Sequence, residues 1–231
     1  IGACRRVEAG KEAFADLNAP GSVEIMNLDL ASLTSVRNFV EAFTAKYDRL
    51  DGLANNAGIM CPQSTTEDGF GIQFAVNYLG HFLLTELLLD TLKASAPSRI
   101  VCVSSVAHVG SRRQVAELHF DDLDFEKRSY NMNGAYSEAK LAVVLQAVDL
   151  ARRLEGTGVA AFSVHPGWVR SNLGRHIGPA WMNSVMNLAL RAFSGPLGII
   201  TPFEGAQTTL HCLLDEEAPK HSGEYYSQNG V

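Results

Sequence analysis

Several large classes of protein are excluded by what this chain does not contain. Its 231 residues hold no run of like charge and carry a net charge of −6. A nucleic-acid partner wants a basic surface, so none is expected. Only four cysteines occur, Cys4, Cys61, Cys102 and Cys212, widely scattered and without metal-type spacing. There is no Asn-x-Ser/Thr site either. Both absences point away from secretion and toward a reducing compartment or one face of an intracellular membrane. Cys102 lies in an apolar run and reads as a small core residue. His108, His119 and His176 have no ligand-type spacing, so no metal is expected. No stretch reaches ~18 unbroken apolar residues, the length a membrane-spanning helix needs. The chain also shows no initiator Met and no signal peptide. Ile1-Gly2-Ala3-Cys4-Arg5 reads as the tail of a strand, and the expectation is that an N-terminal segment is missing from this sequence.

What is present suits one large domain with a sizeable core: 46% of residues are apolar and 19% charged. Short apolar runs alternate with helical stretches. Ile1 to Cys4, Val23 to Leu28, Leu50 to Ala54, Arg99 to Val103, Val159 to Val164 and a short run at Tyr225-Tyr226 read as strands. Val7 to Leu17, Leu33 to Tyr47 with Ser32 as N-cap, Asp68 to Leu92, Ala135 to Leu154 and Phe203 to Leu214 read as helices. This alternation indicates βαβ units and a parallel sheet. The strands are continuous apolar runs, as burial on both faces demands.

In such a sheet ligands sit beyond the carboxyl ends of the strands. Those ends carry Asp29, Asn55-Asn56-Ala57-Gly58, Ser104-Ser105 and Pro166-Gly167, small, polar or turn residues that let a ligand approach the backbone. The helix from Ala135 adds Tyr136 and Lys140, four residues apart and therefore on one face. A phenol titrating near ~10 is a poor acid or base at neutral pH, and a fixed cation beside it would lower that value. The pair is thus a candidate acid/base device. Tyr-x-x-x-Lys also arises by chance in many helices, so its neighbours must decide.

Taken together, these residues resemble the short-chain dehydrogenase/reductase family, in register across nearly the whole chain. Asn55-Asn56-Ala57-Gly58, Asn77 within Val76-Asn77-Tyr78-Leu79-Gly80-His81-Phe82, Ser105, Tyr136 with Lys140, and Pro166-Gly167-Trp168-Val169-Arg170-Ser171 each match a family motif. Ser171 stands where Thr is usual. A closer resemblance is to the retinol dehydrogenase branch and relatives such as WW-domain oxidoreductase. It rests on Ala3-Cys4-Arg5, His81-Phe82-Leu83-Leu84-Thr85, Phe120-Asp121-Asp122-Leu123, His165-Pro166-Gly167 and Glu204-Gly205-Ala206-Gln207-Thr208. The implied fold is an α/β doubly wound, Rossmann-like parallel sheet, forming one dinucleotide-binding oxidoreductase domain over residues 1–231.

The resemblance implies roles. Tyr136 is the general acid/base, Lys140 lowers its pKa and holds the nicotinamide ribose, Ser105 binds the substrate oxygen, and Asn77 positions a water. Asp29 and Leu30 border the adenine, Asn55, Asn56, Ala57 and Gly58 the adenosine ribose, and Ser171, with Pro166, Gly167 and Val169, the carboxamide or a phosphate. An acidic residue at the end of the second strand selects NAD, whereas an Arg there accommodates the 2′-phosphate of NADP. Cys4-Arg5-Arg6 carries no acid, which favours NADP(H) over NAD(H); the bland reading of two arginines is a solvated turn. Glu138, where the family more often has a small or neutral residue, is expected to lie off the Tyr136 face and to be tolerated.

One family element is missing. The turn Thr-Gly-x-x-x-Gly-x-Gly, which brings backbone and helix N-terminus to the pyrophosphate, has no counterpart here. The family's first strand and first helix are therefore expected to be absent, leaving strand edges open and dinucleotide binding poor. The expected activity is NADP(H)-dependent interconversion of an apolar alcohol and its aldehyde or ketone, retinol and retinal by resemblance. A catalytically silent interaction protein and a steroid or other carbonyl reductase stay open as alternatives. Trp181, Met182, Met186, Leu188, Leu190 and Phe193, between Leu173 and Thr201, read as an apolar substrate lid or a shallow membrane contact, with a core helix as the plain alternative. Self-association and a place in the cytoplasm or at the endoplasmic reticulum membrane are both compatible with this reading.

Overall fold

The computed structural model describes residues 1–15, 22–110, 115–171, 173 and 198–228. In chain order these form β1 (Gly2–Cys4), α1 (Val7–Phe14), β2 (Ile25–Asn27), α2 (Leu33–Thr44) and β3 (Gly52–Asn55). A long helix α3 (Ile72–Ala94) follows, then β4 (Ser98–Val103), α4 (Met132–Arg153), β5 (Val159–His165), α5 (Pro202–Leu214) and β6 (Tyr225–Ser227). Every pairing between these strands is parallel. The sheet is divided. β1 pairs only with β2, while β3, β4, β5 and β6 form a separate four-stranded sheet in that order. β1 and β3 therefore each present a free edge among the described residues.

Local chemistry sets the element ends. Ser32 Oγ accepts from Ser35 N and caps α2. Thr201 and Glu204 form a capping box at α5, with Pro202 in its first turn. Asn131 Oδ1 accepts from Gly134 N at the start of α4. The helix expected from Asp68 starts instead at Ile72: Gly69 has a φ of 88°, and Asp68 Oδ2 is occupied accepting from Leu33 N at 2.8 Å.

Alternation along β4 sends Ile100 and Cys102 to one face and Val101 and Val103 to the other. On the first face Leu28, Val36, Phe39, Phe43, Leu84, Leu88, Leu92 and Leu150 complete a core that spans both sheets. Gly80 makes that join possible. A Cβ there would lie 2.5 Å from Leu30 O, so only glycine lets α3 rest on the end of β2. On the second face Phe162, Val164, Cys212 and Tyr226 pack beneath α5. α3 has the length and hydropathy of a membrane-spanning helix, but Leu84, Leu88, Leu89 and Leu92 are buried in this core, and it is read as a core helix. Cys102 is 1% exposed, and burial pushes its thiol up to about 11.

Candidate active site

Four elements bring the acid/base candidates together. β4 delivers Ser104 and Ser105 at its carboxyl end, and Ser104 Oγ donates to Lys140 O at 2.8 Å, tying that end to α4. Ser105 caps the short 3₁₀ turn Val106–Val109, its Oγ accepting from Ala107 N. On α4, Tyr136 and Lys140 share a face: Lys140 Nζ stands 5.6 Å from the centre of the Tyr136 ring. Asn77 comes from α3, within a π-helical segment, Ala75–Leu79, that widens the helix where the residue sits. Such bulges concentrate at functional sites. The fourth contributor is the turn after β3. A Cβ on Gly58 would lie 3.1 Å from Asn77 Oδ1 and 3.6 Å from Lys140 Nζ, so this turn passes between the two side chains.

The electrostatics differ from the sequence-based expectation. Burial pushes the Tyr136 phenol above its usual value, and the opposing pull comes from the Ser105 hydroxyl, not from Lys140. The reason is that Lys140 is itself buried, with Nζ donating to Val103 O at 2.7 Å. Burial holds that ammonium down to about 8. His81, one turn beyond Asn77, is buried beside the same cation and is held down to about 4, mainly by burial. The Asn77 amide is fixed by the chain after β3. Its Oδ1 accepts from Ile59 N at 2.8 Å and its Nδ2 donates to Ile59 O at 2.9 Å. The amide thereby clamps residue 59, and the Asn77 main-chain carbonyl lies 3.4 Å from His81 Nδ1.

The cofactor-side candidates separate into two groups. Asn56, Ala57 and Gly58 follow β3, with Asn56 and Ala57 exposed. Asn55 turns inward: its Nδ2 donates to Thr85 Oγ1 at 2.8 Å, and its buried Oδ1 has no partner. Pro166 and Gly167 follow β5, Gly167 at a φ of 88°. Val169 bridges to Ile200, and Ser171 is exposed. The second group lies on the two-stranded sheet. Arg5 is exposed beyond β1, its carbonyl accepting from Asn27 Nδ2 at 3.0 Å. Asp29 Oδ1 accepts from Ala31 N at 2.9 Å, which shapes the turn, and Leu30 is buried under Gly80. Ser105, Asn77, Tyr136, Lys140 and Gly58 thus form one cluster, while Arg5, Asp29 and Leu30 stand at the other sheet. Trp181, Met182, Met186, Leu188, Leu190 and Phe193 lie outside the described residues.

Comparison with known proteins places this arrangement. The short chain dehydrogenase profile matches residues 1–116. Retinol dehydrogenase 12 of Homo sapiens is 47% identical over 229 residues, covering 97% of this chain and 68% of that protein. The chain belongs to the short-chain dehydrogenase family, in its retinol dehydrogenase-like branch. It is therefore an oxidoreductase by family. Among solved structures, the Pseudomonas aeruginosa RhlG/NADP active-site complex superposes with a TM-score of 0.73 at 24% identity, over 97% of this chain and 82% of that one. NADPH-bound carbonyl reductase from chicken fatty liver gives 0.66 at 20% identity, over 99% and 84%. These two likenesses carry the Rossmann-like fold.

Sequence reading missed a set of charged residues behind the helix that carries Tyr136 and Lys140. Glu138 is buried, two positions from Tyr136, and its carboxylate takes both terminal nitrogens of Arg128, at 2.9 and 3.2 Å. It is a buried anion paired with Arg128, a partner the helix pattern does not report. The signal was present in the charge content of the 105–136 excursion, which reads as a surface loop until its partner on α4 is known.

Proposed function

We propose that this single domain interconverts an apolar alcohol and its aldehyde or ketone with NADP(H), retinol and retinal being the model pair. The observation that carries the reading is the convergence of Ser105, Tyr136, Lys140, Asn77 and Gly58 at the carboxyl ends of β3 and β4. A substrate oxygen held by Ser105 sits within the reach of the Tyr136 phenol, which gives up or takes the proton at that oxygen. Lys140, charged below about pH 8, offers its ammonium to hydroxyls presented between it and Gly58. A nicotinamide, when bound, supplies or accepts the hydride. Arg5 supports NADP over NAD because it is exposed and cationic where a 2′-phosphate would meet the chain. The NADP named with RhlG and the NADPH named with the chicken carbonyl reductase support the same choice. Exposed Val106, Val109, Val115, Phe120, Trp168 and Phe203 lie on the segments that follow β4 and β5, and give a lipid-like substrate an apolar approach.

The residues fit the nicotinamide and adenosine ends of a dinucleotide. A glycine-rich turn for its pyrophosphate is not among the described residues. The alternative is a catalytically silent interaction protein of the same fold. One experiment separates the two. If NADPH binds, cofactor at a hundredfold excess over Kd adds about 2.7 kcal/mol of stability, visible as a saturable thermal shift larger than that from NADH. An absent shift supports the second reading. With binding in hand, Tyr136→Phe lowers turnover of retinal-like aldehydes by about 10²-fold or more. Unchanged turnover removes Tyr136 from the mechanism.

A further inference from the structure

We infer that Arg128 is a positioning residue, the centre of a strap that fixes the Tyr136 helix against the Asn77 helix. The 115–131 excursion is fastened at three places, each to an element bearing a candidate site residue. The first fastening is to α4. Arg128 spreads its guanidinium between two carboxylates, giving Glu138 the bidentate pair above and Asp122 Oδ2 a bond from Nε at 3.0 Å. Asp122 and Glu138 are almost fully buried, and Asp122 Oδ1 also accepts from the backbone of Glu126 and Lys127. The guanidinium lies 4.2 Å from the Phe125 ring centre, with Phe125 held at a φ of 58°, a costly conformation for an aromatic residue.

The second fastening is to α3. Gln73, one turn before Asn77, donates through Nε2 to Tyr130 Oη at 2.5 Å and to Met132 O at 3.0 Å. The third is to the segment after β3. Tyr130 Oη donates to Cys61 O at 2.7 Å, Gly71 N donates to Asp124 Oδ1 at 2.5 Å, and Gln63 Nε2 reaches Phe125 O at 3.2 Å. The same stretch of chain therefore sets the spacing of α3, α4 and the turn that carries Gly58. The fork geometry is essential to this. A lysine keeps the charge but cannot satisfy two carboxylates in fixed directions.

Calling the residue a positioning one rests on the roles proposed for Tyr136 and Asn77, so the test uses a readout that needs no turnover. Amide hydrogen exchange is followed in the whole chain for Arg128→Met, Arg128→Lys and Glu138→Gln. In Arg128→Met, exchange over 72–79 and 132–140 rises about tenfold, while α2 and β4 keep their protection, and Arg128→Lys behaves alike. Changes confined to 119–131, a uniform rise across the chain, or full restoration by lysine overturn the inference. Should Arg128→Met fail to fold, Glu138→Gln decides: a rise over 132–140 supports the strap and unchanged exchange there overturns it. In turnover assays Arg128→Lys lowers kcat with the cofactor KM unchanged. Tyr136→Phe leaves the exchange pattern intact, so a failed acid/base reading and a failed strap give different results.

Discussion

The two sheets of this molecule have been given very different support. β4 and β5 are strands of six and seven residues, nearly all buried, and the 22-residue α4 on top of them buries ten side chains. β1 and β2 are three residues each, with no residue fully buried in either, and α1 beside them buries none. Strand pairs of this kind are marginal by themselves. The acid/base candidates stand on the first sheet, and Arg5, proposed to meet the 2′-phosphate, on the second. The two groups of candidates thus stand on parts of unequal burial, joined through Leu30 against Gly80 and the α2–α3 contact.

The largest test of that contrast is Phe162→Ala. Phe162 is fully buried in β5 and meets Tyr226 edge-on at 5.7 Å. Truncating a core phenylalanine costs about 3–5 kcal/mol, part transfer and part cavity. Urea unfolding followed by circular dichroism should show a loss of that size with an unchanged slope. A cost under about 1 kcal/mol would mean that the four-stranded sheet relaxes around the hole, and the contrast would fail.

A middle-sized effect concerns pH, and it belongs to the rigid part alone. Lys140 is held at about 8 against an ordinary 10.5. Between those values the unfolded chain binds more protons than the folded one, so stability rises with pH. His81, at about 4 against 6.5, acts in the same direction between pH 4 and 6.5. Tyr136 and Tyr225 are both pushed up, Tyr225 to about 12, and their contribution reverses the sign above about pH 10. Cys102, at about 11, and Cys212, at about 12, against an ordinary 9.0, oppose Lys140 from about pH 9. The Lys140 contribution, at most ~1.4 kcal/mol per pH unit, is therefore read over pH 8 to 10 as the difference between the natural chain and Lys140→Met. Across that window the urea midpoint of the natural chain should rise relative to that of Lys140→Met. An equal climb in the variant would show that Lys140 is not the buried cation responsible.

The same division explains what could be read from residues alone. Strand ends were legible because apolar runs and turn residues are local signals: Asn55 to Gly58, Ser104-Ser105 and Pro166-Gly167 all fall where a parallel sheet needs them. Ser32 was legible as a cap for the same reason. The division into two sheets was foreseeable only through the missing glycine-rich turn. What escaped depends on contacts distant in sequence. The π-helical segment at Asn77 accompanies the clamp on Ile59, eighteen residues away. The upward shift of Tyr136 reflects how deeply α4 is buried, which a helical repeat of four does not report. Glu138 needed Arg128, ten residues earlier on a segment without regular structure. Here a buried carboxylate and its guanidinium gave no sequence signal beyond their charges.

The smallest predicted effect lies on the weaker sheet. Phe14, at the end of α1, is 39% exposed and packs over β1, where a Cβ on Gly2 would stand 3.3 Å from its ring. Judged by contact alone, Phe14→Ala should cost a sizeable fraction of what Phe162→Ala does. The sheet it supports, however, is two short strands unpaired on both outer edges among the described residues, and such a unit opens by itself before the rest of the chain unfolds. A substitution there destabilises the local opening reaction, and the global unfolding midpoint registers little of it. Phe14→Ala should therefore move global stability by less than about 1 kcal/mol while speeding amide exchange at Gly2, Ala3 and Cys4 severalfold. A global loss comparable to that of Phe162→Ala would show that the two sheets unfold as one unit, with α1 as much a part of the core as α4.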